Sequence, residues 1–257
     1  MKLWSIVTGA VMAVGLATSA VAQSSLESVL ESGVLRVGTT GDFNPMTVRD
    51  VASGSYKGFE IDVANALAED LGVTVEFVPT EWKTMVAGVL SDKYDIVMSG
   101  TSISVGRAKV VGYTHPYIFV GTVPMTLKEN ADKFTSWEDA NAEGIKVAVI
   151  LGTVFEQQAR AAFPNAEIVT VEAPATGFQE VLSGRADVTI TSNVDAASIM
   201  ERFDAITTFA PGEVRAQRPL AYITQQDNQS LLNFMNAWLA LKSAGGFFDE
   251  MKAKWNL

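Results

Sequence analysis

The order of apolar and polar positions along the chain predicts two successive units in which strands alternate with helices. In the first unit, apolar residues recur at helical spacing over Gly58–Leu71 and alternate with polar residues over Val73–Val78. A β-α-β-α-β order indicates a parallel sheet with helices on its faces. The other elements predicted for this unit are a strand within Gly33–Thr40, a helix over Trp82–Leu90 and a strand over Asp95–Met98.

The second unit repeats this order, and two further helices close the chain. Its predicted elements are the strand Ile145–Ile150, the helix Phe155–Phe163, the strand Ile168–Val171, the helix Gly177–Leu182 and the strand Val188–Thr191. Apolar residues also share one face over Asn228–Lys242 and over Phe247–Trp255. The sequence therefore predicts an α/β protein with two lobes, each a mostly parallel sheet flanked by helices.

An internal repeat supports the two lobes. Leu90–Ser99 lines up with Leu182–Thr191: each has a helix end, a polar turn, an Asp and a short strand that ends in small polar residues. Ligands of open α/β sheets bind at the carboxyl ends of strands, so we expect Ser99-Gly100-Thr101 to face Thr191-Ser192-Asn193 across a cleft. Val123–Leu127 and Ala221–Gln225 are the predicted hinge strands. Residues 23–125 and 221–257 then form one lobe, and 126–220 the other.

The loop after Asp95–Met98 is a candidate anion site. The small residues Ser99, Gly100 and Thr101 let a ligand approach the backbone N–H groups, and a helix that carries Arg107 near its start follows. The Arg107 guanidinium can hold a carboxylate through two parallel hydrogen bonds. These residues are equally consistent with a buried strand, a polar turn and an arginine paired with a surface acid.

The first residues predict a secretory signal peptide. Lys2 is followed by the apolar run Ile6–Ala17 and by the small-residue site Ala20-Val21-Ala22, so we expect residues 1–22 to be cleaved off after Ala22. The apolar run is too short to span a bilayer. The mature chain is therefore expected outside the cytoplasm.

Composition narrows the function classes. The chain is 48% hydrophobic and 19% charged, typical of globular proteins, and without Cys it has no disulfide. Its net charge is −10 and becomes −11 when Lys2 leaves, which argues against nucleic acid or an anionic membrane as partner. With His115 the single His, neither a metal site nor nucleophilic catalysis is supported, and no cofactor is expected.

Several short segments, taken together in this order, carry a family resemblance. They are Val34–Gly38, Gly58–Ala64, Tyr94–Gly100, Arg107-Ala108, Tyr113–Tyr117, Gly152-Thr153, Gly184–Asp187 and Lys254-Trp255. Over nearly its whole length the mature chain resembles the type II periplasmic solute-binding proteins of the amino-acid-binding family 3. The resemblance implies a periplasmic monomer that closes by a hinge on a small carboxylate solute and delivers it to an ABC-type membrane permease.

The resemblance also implies a ligand site. It places Arg107 and the Thr101 backbone on the ligand carboxylate, with Gly152-Thr153 of the second lobe closing on the same group. Phe43 and Trp82 would form walls of the cleft. The full set of candidate ligand-binding residues is Asp42, Phe43, Trp82, Ser99, Gly100, Thr101, Arg107, Gly152, Thr153, Ser192, Asn193 and Asp195.

Ser192 departs from the family pattern, in which an Asp or Glu at this position pairs with the ligand ammonium. A hydroxyl does not supply that charge, and an unpaired buried ammonium is costly. We therefore expect organic acids to bind better than amino acids, unless Asp195 takes the role of the missing acid. As a carboxylate near a helix start, Asp195 is equally consistent with a purely structural role.

A second functional class stays open. Thr39–Asp42, Pro79–Trp82 and Met98–Ser104 are similar to segments of secreted cyclohexadienyl dehydratases, which act on prephenate or arogenate. Asp195 falls at about the position of the carboxylic acid that donates the proton in those enzymes. Against this reading, Thr122 stands where the enzymes carry a lysine, and Ile150, Leu151 and Phe155 are apolar where their loop is polar.

Overall fold

The computed structural model describes residues 25–257, and the predicted signal peptide 1–22 lies outside them. The helices are α1 Ser25–Ser32, α2 Phe59–Leu71, α3 Met85–Leu90, α4 Val105–Ala108, α5 Val154–Ala162, α6 Gly177–Leu182, α7 Asn193–Arg202, α8 Gln229–Ala244 and α9 Phe247–Trp255. Two short 3-10 helices cover Lys128–Asn130 and Trp137–Ala140. The strands are β1 Val34–Thr39, β2 Asp42–Phe43, β3 Thr47–Arg49, β4 Tyr56–Lys57, β5 Thr74–Pro79, β6 Ile96–Val97, β7 Val111–Tyr113, β8 Ile118–Leu127, β9 Lys146–Ile150, β10 Glu167–Val171, β11 Val188–Ser192, β12 Ile206–Thr208, β13 Arg215–Leu220 and β14 Ile223–Gln225.

The strands form two main sheets, one in each lobe, as the sequence pattern predicts. In the first sheet, with order β5-β1-β6-β14-β7, β1 lies parallel to β5 and β6, and β14 is antiparallel to its neighbours. In the second sheet, with order β10-β9-β11-β8-β12, β9 lies parallel to β10 and β11, and β8 is antiparallel to β11, β12 and β13. Each sheet is thus mostly parallel with one reversed strand.

Local sequence explains where the helices lie. In α2 the apolar face that includes Val63 and Leu67 is fully buried, and the helix ends at Gly72, whose φ of 71° is the left-handed conformation that favours glycine. The start of α7 is capped by Ser192, whose hydroxyl accepts from the backbone N–H of Asp195 at 3.0 Å. The apolar face of α2 was predicted from the sequence pattern, whereas α7 was not among the predicted elements and is located by its cap.

The first passage of the chain between the sheets precedes its predicted hinge strand, and the second falls at the start of the other predicted hinge strand. Val123–Leu127 lies within β8, whose pairing partners all belong to the second sheet. Ile223–Gln225 is β14 of the first sheet. The two passages are residues 114–117 and 221–222, and they are joined because Thr114 N donates to Tyr222 O at 3.0 Å and Tyr117 N to Leu220 O at 3.1 Å.

Three local features differ from the sequence pattern. The helix predicted from Trp82 begins at Met85, which leaves Trp82 in the turn before it. The strand predicted over Asp95–Met98 keeps only two residues in β6. A small antiparallel sheet, β2-β3-β4, follows β1 where the sequence pattern indicates only a loop. This hairpin brings Asp42 and Phe43 to the cleft.

Candidate functional site

A cavity of about 60 Å³ lies between the two lobes. Seven predicted site residues line it: Asp42, Phe43, Trp82, Gly100, Arg107, Thr153 and Asp195. Thr191, expected at the cleft from the internal repeat, also lines it. The lining residues that sequence reasoning did not assign to the site are Ser102, Val120, Ile150, Val154, Phe155, Thr176, Gly177, Phe178, Thr189, Ile190 and Ile199. Both lobes therefore contribute to one site at the ends of their strands, as expected for open α/β sheets.

Arg107 is the cation of this cavity. Its Nη2 donates to the Gly152 carbonyl of the opposite lobe at 3.0 Å, and its Nη1 lies 3.4 Å from the Ser102 carbonyl. Burial lowers the pKa of Arg107. Among residues 25–257, no carboxylate forms an ion pair with it. A desolvated guanidinium that contacts carbonyl oxygens and the Tyr113 side chain rather than a carboxylate strongly favours an anion.

The loop before Arg107 is fixed by hydrogen bonds to neighbours on the side away from the cavity. Ser99 accepts from the Thr40 backbone N–H at 3.0 Å, and Thr101 accepts through its carbonyl from Ala221 N at 3.0 Å, so both are buried supports. Gly100 faces the cavity at a φ of 65°, and a Cβ there would lie 2.7 Å from the Phe43 ring. Only glycine fits this position.

Asp42 and Trp82 form a hydrogen-bonded pair on the first-lobe wall. The indole Nε1 donates to the two Asp42 carboxylate oxygens at 2.9 and 3.0 Å. Burial raises the pKa of Asp42, although the hydrogen bonds oppose this. Phe43 lies beside them, with its ring centroid 6.3 Å from that of Trp82. The aromatic rings therefore leave a carboxylate exposed to the cavity.

Asp195 supplies the acid of the second lobe. Its Oδ2 accepts from Thr191 Oγ1 at 2.7 Å, and its carboxyl lines the cavity. Burial, with a smaller contribution from the charge of Asp42, raises its pKa to about 7. Ser192, predicted to face the ligand, instead lies behind the wall because its hydroxyl caps the helix at Asp195.

The remaining predicted residues of the second lobe have different positions. Thr153 caps α5 by accepting from Glu156 N at 3.3 Å, and it lines the cavity. Gly152 has a φ of 79°, and a Cβ there would approach the Lys83 backbone of the first lobe to 2.6 Å. Asn193 is not on the cavity wall, since its Oδ1 accepts from the backbone N–H of Gly121 at 2.9 Å.

The start of α6 is the part of the wall that sequence reasoning missed. Thr176, Gly177 and Phe178 reach the cavity there, because Thr176 and Gln179 form a capping box that fixes the turn. A Thr–Gly–Phe–Gln run before a predicted helix was a usable signal for this cap. It does not by itself show that the helix points at the cleft.

Thr122, at the position where the cyclohexadienyl dehydratases carry a lysine, has a different cation nearby. Thr122 is buried and accepts from Arg218 Nη2 at 3.0 Å, while it donates to Gln158 at 2.8 Å. The Arg218 guanidinium lies 5.3 Å from the centroid of Phe155, a wall residue, and its Nε and Nη1 make no hydrogen bond. Phe155 therefore separates this cation from the cavity.

The lobes are in contact around the cavity. Asn44 of the first lobe donates to the Ser198 hydroxyl of the second, and Lys83 pairs with Glu172. The Arg107–Gly152 hydrogen bond makes a third link. The structure thus presents the closed arrangement, in which a ligand would bridge both lobes.

The comparisons define the class of protein. Residues 35–257 match the family model of bacterial extracellular solute-binding proteins, family 3. The chain therefore belongs to this family, and its two-lobed fold is that of the type II periplasmic binding proteins.

Two curated relatives show the range within the family. The chain is 32% identical over 233 residues to cyclohexadienyl dehydratase of Pseudomonas aeruginosa, covering 91% of this chain and 86% of the relative. It is 28% identical over 230 residues to the L-cystine-binding protein TcyJ of Escherichia coli K12, covering 90% and 85%.

Solved structures give the same picture. An ancestral amino acid-binding protein, described as a precursor of cyclohexadienyl dehydratase, superposes with a TM-score of 0.84 at 41% identity over 90% of this chain and 99% of that one. An ancestral arginine-binding protein bound to arginine gives a TM-score of 0.78 at 32% identity, covering 87% of this chain and 98% of that one.

Within residues 25–257, no helix has the length and apolar character needed to cross a membrane.

Proposed function

We propose that this protein is the periplasmic binding component of an ABC-type importer and captures a small solute that carries both a carboxylate and a protonated amine. The observation that supports it is the set of charges on the cavity wall: one unpaired guanidinium, Arg107, and two carboxyls, Asp42 and Asp195. Family membership and relatives that bind cystine or arginine agree with this class of ligand.

The charges favour an amino acid over the corresponding organic acid. Ser192 leaves the family's usual acid position without a charge, but Asp195 and Asp42 face the same cavity from opposite lobes. A bound cation would relieve the repulsion between these two carboxyls. The preference for organic acids expected from Ser192 therefore reverses in this proposal, with Asp195 as the ammonium partner.

Closure follows from the same contacts. A ligand carboxylate at Arg107 would replace the Gly152 carbonyl as its partner, while the amine would meet Asp195 of the second lobe. The ligand would thus hold the two lobes together and stabilise the closed state by its differential contacts. We propose that the protein acts as a monomer, with cleavage after Ala22 releasing it into the periplasm.

Identification of the solute by mass spectrometry, followed by calorimetry, tests the proposal. The solute released from the purified protein is identified, and its binding to the wild type and to Arg107→Ala is then measured. Lys109→Ala is the matched control, because it removes one cation at an exposed position. We expect at least about a hundredfold weaker binding for Arg107→Ala, partial recovery in Arg107→Lys and little change for Lys109→Ala. Binding within about threefold of wild type in Arg107→Ala would remove Arg107 as the anchor.

A dehydratase is the second candidate, because Asp195 has the property that a proton donor requires. With a pKa raised to about 7, a substantial fraction of its carboxyl is protonated at neutral pH and faces the cavity. In that reaction the proton would go to the leaving hydroxyl of prephenate as carbon dioxide leaves the ring. Formation of phenylpyruvate, followed by absorbance and abolished in Asp195→Asn, would favour the enzyme. Tight binding of prephenate without turnover would favour a binder.

A further inference from the structure

A second, larger chamber opens from the site. It has a volume of about 650 Å³, compared with about 60 Å³ for the inner cavity, and Asp42, Thr176, Phe178 and Asp195 line both. At roughly 10–15 Å³ for each water, the inner cavity holds only about four to six waters. It has room for the head of an amino acid but not for a long side chain.

The outer chamber lies between the lobes and is open to solvent, with Arg49 and Arg202 exposed on its wall. Its first-lobe wall includes the small sheet β2-β3-β4, and its second-lobe wall includes residues 173–178 and α7. The Asn44–Ser198 contact belongs to the same region, since Asn44 lines the chamber. The chamber therefore persists when the lobes touch.

Two exposed arginines, one from each lobe, line this chamber, and the charge of Arg202 partly offsets the effect of burial on the pKa of Asp195. Among residues 25–257, neither Arg49 nor Arg202 forms an ion pair. The Arg49 guanidinium lies 5.7 Å from the ring centroid of Tyr56. The Arg202 guanidinium lies 5.4 Å from the ring centroid of Phe203, and its Nε donates to Ser198 O at 3.0 Å.

The other charged groups of the chamber are already engaged. Lys93 donates to the Pro79 carbonyl at 3.2 Å, and Glu81 lies 3.5 Å from Lys83. The Tyr56 hydroxyl is buried and has no hydrogen-bond partner in the described part of the chain. Free donors in the outer chamber therefore come from Arg49, Arg202 and Tyr56, and from Lys93, which gives Pro79 only one of its three N–H groups.

The fixed charges alternate along the connected cavities. Arg107 is positive at the inner end, Asp42 and Asp195 are negative where the two cavities meet, and Arg49 and Arg202 are positive in the outer chamber. A complementary ligand has the opposite order, with an anion at each end and a cation between them.

We propose that the site takes an amino acid whose side chain carries a second carboxylate at its far end, held by Arg49 and Arg202 in the outer chamber. The ligand class is thus an amine-containing dicarboxylate longer than glutamate. This inference rests on the proposed function for the inner end and adds the specificity of the outer end.

Two compounds that differ by one carboxylate provide the test. L-lysine has one carboxylate, and LL-2,6-diaminoheptanedioate is lysine with a carboxylate added to the carbon that bears the side-chain amine. By calorimetry at pH 8, we expect the dicarboxylate to bind to the wild type at least about tenfold more tightly than lysine. In the double variant Arg49→Ala/Arg202→Ala, the ratio should fall to about twofold or less, because the second carboxylate loses both of its cations.

A matched double variant controls for general electrostatics. Lys128 and Lys146 are exposed and line neither cavity, so Lys128→Ala/Lys146→Ala removes two cations elsewhere and should keep the tenfold preference. Lysine binding to the wild type as tightly as the dicarboxylate would overturn the inference and leave the proposed function standing. A preference that survives Arg49→Ala/Arg202→Ala would also overturn it. Binding of neither compound would overturn this inference and the cationic part of the proposed function together.

Discussion

The carboxyls of Glu60 and Asp195 both have pKa values raised to about 7, mainly by burial, yet their surroundings differ. Glu60 lies in the first-lobe core, where its Oε1 accepts from Gly100 N at 2.9 Å and from the Tyr117 hydroxyl. Asp195 faces the cavity with Thr191 as its hydrogen-bond donor and Asp42 as an acidic neighbour.

The difference teaches that a raised pKa does not by itself identify a binding residue. Glu60 ties the anchor loop, through Gly100, to Tyr117 of the first passage between the lobes, so its partners are internal. Tyr117 stacks on Tyr222 of the second passage, with ring centroids 4.5 Å apart. Asp195 has no such set of donors, and a ligand is what would complete its environment.

The largest expected effect is on the structural member of the pair. Glu60→Ala leaves the Gly100 N–H and the Tyr117 hydroxyl buried without their acceptor and creates a cavity. We expect the free energy of unfolding to fall by about 4 kcal/mol, measured by urea denaturation. Glu60→Gln keeps an oxygen acceptor and should lose less than half as much. A loss below about 1 kcal/mol in Glu60→Ala would contradict the structural role.

Asp195→Asn should do the opposite and stabilise the ligand-free protein. Because the folded pKa is about 7 and lies above the value of 3.8 for an unfolded Asp, ionisation opposes folding, and stability falls as pH rises from about 4 to 7. We expect the variant to gain as much as about 4 kcal/mol at pH 8 and nothing at pH 4. Equal effects at both pH values would show that ionisation is not the cause.

The affinity for the ligand should depend on the same ionisation of Asp195. A cationic ligand needs ionised Asp195, so the affinity should weaken as pH falls through about 7, towards tenfold per pH unit below it. Calorimetry from pH 5.5 to 8.5 measures this slope. It should flatten in Asp195→Asn and persist in Glu60→Gln, whose side chain is not on the cavity wall. A slope that is unchanged in Asp195→Asn would assign the titration to another group.

The smallest expected effect concerns the acidic neighbour. Trp82→Phe removes the N–H that donates to Asp42 and should raise the Asp42 pKa further. We expect amine binding to weaken by about 1 kcal/mol, with the loss greatest at low pH. An NMR titration of the Asp42 carboxyl in both proteins checks the direction of the shift. A lower Asp42 pKa in the variant would contradict the assignment.

Elements with a clear period were predictable from the sequence. The helix Gly177–Leu182 and the last helix, Phe247–Trp255, have the bounds that the apolar spacing indicates. Strands of two or three residues, such as β2 and β3, were not predictable because so short a run contains no measurable alternation. The same holds for the site residues. Arg107 and Gly100 were predictable because they follow a clear strand end, whereas Thr176 and Phe178 have no such signal.

The sequence by itself determined the two α/β units, the repeated strand ends and the chemistry available at each, because periodicity and residue type are local properties. Only the tertiary structure decided which of Ser192 and Asp195 faces the cavity. The Ser192 hydroxyl is used to cap α7, whereas the Asp195 carboxyl lines the cavity. It also decided that Asp42 meets Asp195 and that Arg49 and Arg202 share a chamber. These pairs are more than 150 residues apart in the chain, and only closure of the two lobes brings them together.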